Sequence, residues 1–191
     1  MRKAIFAGLI TLMPMVALAQ NVSSGKIAEL TAHRLERLVT LKKVDASFSA
    51  RLEKVEVSSV SGTAPAPAAY RSLVSQTQPA QGAPMQLELL FDAAGKPLAF
   101  KVLPGGVAGP DPQWPTADAQ ALFEATAHAL DESKDAKIEP FMTGFTSFVL
   151  TKGTLQGSPV ARAQVLSSTT ASKLNVYMML DGMVMSTEIL P

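Results

Sequence analysis

Leu87-Glu88-Leu89-Leu90-Phe91 runs into Asp92-Ala93-Ala94-Gly95-Lys96 and then into Leu98-Ala99-Phe100-Lys101-Val102. Two largely apolar, strand-forming runs flank a short link that contains Gly, which is the pattern of an antiparallel hairpin. Working outward from this hairpin, extended stretches fall near 46–58, 68–77, 84–92 and 97–104. A second set falls near 139–152, 159–169, 173–180 and 183–190. Between the last two, Asp181-Gly182 reads as a two-residue type I′ turn, because both residue types tolerate positive φ.

A helix precedes each set of strands. From Lys26 to Lys43, the apolar residues Ile27, Leu30, Leu35, Leu38, Val39 and Leu41 share one broad face. Ser23 or Ser24 can cap its start. From Ala117 to Asp131 the same role falls to Ala119, Leu122, Phe123, Thr126 and Leu130, with Thr116 as N-cap. At 100° per residue, Thr31 and Thr126 lie within the apolar stripes, while His33 and His128 point away from them.

The two sets also match in sequence. Glu29-Leu30-Thr31-Ala32-His33-Arg34-Leu35 agrees with Glu124-Ala125-Thr126-Ala127-His128-Ala129-Leu130 at five of seven positions. Weaker matches follow in the same order, among them Asp92 and Gly95 with Asp181 and Gly182, and Val102-Leu103-Pro104 with Ile189-Leu190-Pro191. The expected class is therefore α+β: two tandem repeats, each a helix plus a four-stranded antiparallel meander (αβ4). Their bounds are 20–104 and 117–191, joined by a Pro/Gly linker at 105–116. This order of elements, with the Asp92-x-x-Gly95 hairpin, resembles PepSY-type modules and the β-lactamase inhibitory protein, a PepSY-like or cystatin-like layout. The resemblance carries no functional residue across. Two stretches are expected to be irregular: the Ser/Ala/Pro run Ser58 to Pro67, and Pro104 to Pro115, which holds the sole Trp.

Targeting is written at the N-terminus. Arg2 and Lys3 precede the apolar run Ala4 to Val16, and Ala17-Leu18-Ala19 is a small-x-small site. This is a secretory signal over 1–19, with cleavage expected between Ala19 and Gln20. The run is short of the ~20 apolar residues that a spanning helix needs. The 191-residue chain has no Cys, which excludes disulfides, thiolate nucleophiles, zinc–thiolate sites and a lipid-modified N-terminal Cys. Small secreted eukaryotic proteins usually carry disulfides, so a bacterial periplasmic or secreted location is expected.

Loss of 1–19 removes two basic residues and no acidic one, taking the formal charge from +1 to −1. Residues 20–104 are net +3 and residues 105–191 net −4, so the halves can attract each other. No basic patch is dense enough for nucleic acid.

Candidate chemistry is sparse. Ser23-Ser24-Gly25-Lys26 matches Ser-x-x-Lys, but the partner motifs of penicillin-recognising enzymes are missing. Each His has a Glu four residues earlier (Glu29 and Glu124), read first as two solvated surface pairs that share no metal, and second as a zinc or copper site joining both helices. A three-His metal site is impossible with 2 His. Met178, Met179, Met183 and Met185 cluster on the last strands. Core filling is the first reading, an adaptable apolar binding surface the second, and Cu(I) binding the third.

The expectation is a secreted or periplasmic, non-enzymatic binding protein of unstated specificity, with no catalytic residue, cofactor or metal. Trp114, Tyr177, Met183 and Met185 are the candidate interaction residues. Trp114 either anchors the linker or contacts a partner. The partner is expected to be an envelope protein. The alternative is a carrier of a lipid or other hydrophobic ligand, held between sheet and helix by Phe91, Phe100, Phe145, Phe148 and the Met group.

Overall fold

A computed structural model describes residues 21–61, 68–76, 83–105 and 119–191. The signal segment, most of the Ser/Ala/Pro run and Trp114 with nearly all of its linker lie outside the described residues.

The first long helix, α1, spans Ser24–Thr40. Ser23 caps it, its Oγ accepting from the Lys26 N–H at 3.1 Å. The helix ends in a Schellman-type closure. Lys42 N–H donates to Val39 C=O at 2.9 Å and Lys43 N–H to Leu38 C=O at 2.8 Å. Lys42 sits at φ 53°, a left-handed conformation that an L side chain resists. Lys42→Gly should therefore raise stability by about 1 kcal/mol, read as a higher Tm. An unchanged or lower Tm would show that this closure is not the ground state.

A short helix follows, α2 (Ser47–Ala50). Ahead of it, Asp45 Oδ1 accepts from Ser47 N–H at 2.8 Å. Hydrogen bonds from the Ser47 hydroxyl and N–H hold the Asp45 carboxyl below its ordinary value. Four strands come next: β1 (Leu52–Ser59), β2 (Tyr70–Gln76), β3 (Met85–Phe91) and β4 (Pro97–Pro104). The chain then forms α3 (Ala119–Asp131) and the short α4 (Glu139–Thr143). It ends in β5 (Phe145–Leu155), β6 (Ser158–Ser167), β7 (Lys173–Met178) and β8 (Val184–Leu190).

The expected fold class is corrected at this point. The strands do not form two separate αβ4 units. They form one continuous antiparallel sheet in the order β4-β3-β2-β1-β5-β6-β7-β8. The joint is β1 against β5, through Lys54↔Val149, Val55↔Phe148 and Glu56↔Ser147. The physical reason is edge satisfaction. A four-stranded meander would leave β1 as an open edge, and β5 supplies the missing hydrogen-bond partners. The helices lie on one face of this sheet. Beneath them Val55, Val74, Leu89, Phe148, Val165 and Val176 belong to a single buried cluster that also takes in Leu35 of α1 and Phe123 of α3.

Three local readings change as well. The first strands of the two sets were expected to begin at 46 and 139, but α2 and α4 occupy those starts. The β7–β8 link is not a two-residue type I′ turn. Gly182 N–H donates to Met179 C=O at 3.0 Å and Met179 N–H to Met183 C=O at 2.9 Å, which makes a three-residue loop with Gly182 at φ 89°. The β3–β4 link has the same form, with Asp92 where the second has Met179 and Gly95 at φ 79°. Asp92 and Asp181 therefore occupy different turn positions and are not counterparts. A type I′ turn does occur, at Gln156-Gly157, where both φ angles are positive at 49° and 83°.

The face of the sheet away from the helices is polar and cross-linked. Arg71 Nε pairs with Glu88 Oε1 at 2.5 Å, Arg162 Nε donates to Thr151 Oγ1 at 3.1 Å, and Tyr177 Oη donates to Glu188 Oε2 at 3.0 Å. Such pairs suit a solvated sheet surface.

Candidate functional site

Two regions gather chemistry-bearing or exposed apolar side chains. The first is the seam where α1 packs against α3. Buried polar contacts set the helices in place. Thr31 Oγ1 donates to Ser72 Oγ at 2.8 Å, and Thr126 Oγ1 reaches Met178 Sδ at 3.3 Å. Gln120 of α3 donates to Ala32 C=O of α1 at 3.2 Å and accepts from Ser49 Oγ of α2. Buried amides joined on both sides fix the helix register.

Both histidines are exposed, as expected, with side-chain exposures of 51% for His33 and 62% for His128. Their partners differ from those expected. His33 Nε2 stands 3.7 Å from Glu29 Oε1, as its spacing indicated. His33 Nδ1, however, stands 3.2 Å from Glu124 Oε1 of the other helix. His128 turns the other way, with Nε2 3.3 Å from Glu132 Oε2. Glu124 thus serves His33 rather than its own helical neighbour. No single-helix spacing rule could find this pair, because it exists only once α1 and α3 are packed.

The Ser-x-x-Lys match has a structural role. Ser23 is the helix cap, and Gly25 lies against α4. Lys26 faces Glu29, with Asp131 3.7 Å away. The hydrogen bond to Glu29 and the two nearby carboxylates hold its ammonium above the ordinary value, against a smaller opposing effect of burial. That is the opposite of what a general-base lysine needs.

The second region is the corner made by the β7–β8 loop and β8. Met178 is fully buried, so the core-filling reading holds for that residue. Met179, Met183 and Met185 are exposed at 42%, 56% and 48%. Ile189 on the same strand is exposed at 39%. Met185 occupies a bulge, since Tyr177 pairs with Ser186 and Met178 with Val184. A cleft of about 430 Å³ opens beside the loop, lined by Ser158, Pro159, Met179, Leu180 and Asp181. Tyr177 is partly buried one strand in, its hydroxyl tied to Glu188. Of the four candidate interaction residues, the structure thus brings Tyr177, Met183 and Met185 to one end of the sheet.

The phenylalanines proposed to line a ligand cavity do not converge. Phe91, Phe145 and Phe148 are buried in the core, and the Phe148 ring tilts against Phe123 at 4.8 Å. Phe100 is 38% exposed on the opposite edge strand β4.

The chain matches no protein-family model and no curated protein. Among solved structures it is similar to a protein from Clostridium difficile 630 described as a "putative lipoprotein". The identity is 9%, the TM-score 0.31, and the match covers 92% of this chain and 97% of the other. No helix among the described residues is long and apolar enough to cross a membrane.

Proposed function

We propose that this is a secreted or periplasmic binding protein, without catalytic activity of its own, that engages an envelope partner through the β8 corner. The observation that carries the reading is the exposure of Met179 and Met183 in the β7–β8 loop and of Met185 and Ile189 along the edge strand β8. The two edges are built differently. β4 begins and ends with Pro97 and Pro104 and carries Lys101, features that discourage strand addition. β8 has no Pro or Lys within Val184–Leu190. Its outer backbone groups suit pairing with an extended partner segment, and the unbranched Met side chains adapt to what that segment presents. Tyr177 completes the candidate contact residues there; Trp114, a candidate from the sequence, lies outside the described residues. The location rests on the Arg2-Lys3, Ala4–Val16 and Ala17-Leu18-Ala19 signal and the absence of Cys.

The test replaces Met179, Met183 and Met185 together with Ser. In vivo photocrosslinking from position 187 should give a discrete partner band with the wild type. The triple variant should lose that band while keeping its Tm within about 1 °C, because exposed side chains add little to stability. An undiminished band would sink the reading. The apolar cleft beside Met179 and Leu180 supports the alternative, a carrier of a lipid or other hydrophobic ligand. A bound lipid mass in a native mass spectrum of the periplasmic protein, lost in the triple variant, would favour it.

A further inference from the structure

The α1–α3 seam collects donor atoms from two helices around one point. His33, Glu36 and Glu124 each offer one donor, and the three donor atoms lie within 4.8 Å of one another. Glu36 is on the same face of α1 as His33, one turn on, and Glu124 reaches across from α3. The two nitrogens of His33 are divided between tasks. Nε2 faces Glu29, outside the trio, and Nδ1 faces Glu124, inside it. A carboxylate hydrogen-bonded to the non-coordinating nitrogen is the usual support of a metal-bound imidazole, and Glu29 Oε1, at 3.7 Å, stands just beyond that reach. Two clefts share Glu124 as a lining residue. One, of about 370 Å³, is lined by Glu29, His33, Ala125 and His128. The other, of about 390 Å³, is lined by Glu36, Gln120 and Ala121 among others. They give an ion and its waters access from either side. Lys26 is drawn away to Glu29 and Asp131, while the guanidinium-bearing Arg34 and Arg37 share a further cleft of α1 with His33, Leu30, Phe91 and Pro97.

We propose that His33, Glu36 and Glu124 form a binding site for one divalent transition-metal ion, completed by water. The donor set of one imidazole and two carboxylates, with no thiolate or thioether, fits Zn²⁺ or Cu²⁺ rather than Cu(I). The sequence offered a zinc or copper site joining both helices only as a second reading, built on the two His; the trio of His33, Glu36 and Glu124 exists only once α1 and α3 are packed. His128 takes no part, and the site is independent of the β8 corner.

Isothermal titration of the folded chain with ZnCl₂ tests this. Saturable binding of one Zn²⁺ per chain is expected. His33→Ala and Glu124→Gln should each weaken it by more than about tenfold. His128→Ala and Glu132→Gln should leave it unchanged. These side chains are exposed or partly so, and circular dichroism confirms that each variant is folded. Failure of the wild type to bind Zn²⁺ at 1:1, binding indifferent to His33→Ala, or equal loss in His128→Ala would each overturn the proposal.

Discussion

Replacing Phe148 with Ala should lower the stability of the whole chain by about 4 kcal/mol, within the range for deleting a fully buried aromatic ring. Phe148 is wholly inaccessible. It lies on β5 where that strand meets β1, opposite Val55 on one side and Val165 on the other. Its ring centroid is 4.8 Å from that of Phe123, with the planes tilted by 57°. The substitution therefore opens a cavity under α3 and at the joint of the sheet together. For a chain of this size the loss corresponds to a Tm lower by about 10 °C. Because one core spans both halves, calorimetry should show a single transition before and after the change. A variant that unfolds in two steps, with residues 21–105 unaffected, would refute the continuous sheet.

Gly25→Ala should destabilise by about 1 kcal/mol, although alanine is the better helix former. Gly25 is buried in the first turn of α1, where the helix crosses the end of α4. A Cβ there would stand 2.4 Å from the carbonyl oxygen of Met142 and 2.8 Å from its Cγ. The oxygen belongs to backbone, so α1 must shift, and overpacking of this kind costs about 1–3 kcal/mol. The gain in helix propensity, up to about 1 kcal/mol, offsets only part of that. The same shift would stretch the Ser24 Oγ to Thr143 C=O bond, now 2.9 Å. A Tm that rises in Gly25→Ala would mean that α1 and α4 do not approach this closely.

Element type was largely legible along the chain. In the first apolar stripe Ile27, Leu35 and Leu38 are buried, Leu30 and Val39 are partly so, and Leu41, just past the helix end, is exposed. The stripe from Ala119 to Leu130 is buried, and Thr31 and Thr126 lie inside the two stripes. The eight extended stretches became eight strands, because period-two burial is a local property of the pleat. Errors came where two signals compete over a few residues. Ser47–Ala50 and Glu139–Thr143 are single helical turns beside strands, too short to show a period. The Asp181-Gly182 turn differs from its expected type for a related reason. Asp181-Gly182 and Gln156-Gly157 are both acceptable type I′ pairs, and strand register, not turn composition, selects between a two- and a three-residue loop.

The candidate sites divide along the same line. Exposure of His33 and His128 followed from helical phase alone, and strand alternation set Met178 and Met179 on opposite faces without saying which is buried. The sequence by itself determined the elements, their faces, the absence of thiol chemistry and the pattern of a secretory signal. Only the tertiary structure decided that β1 joins β5, which merges the expected two units into one sheet. It alone decided that Glu124 faces His33 rather than His128, and that Met179, Met183 and Met185 share one corner. Each of these is a contact between residues far apart in sequence. Periodicity states which face a residue occupies. Which other face it meets depends on how edges and apolar stripes are satisfied together, and that is settled by the packing of the whole chain.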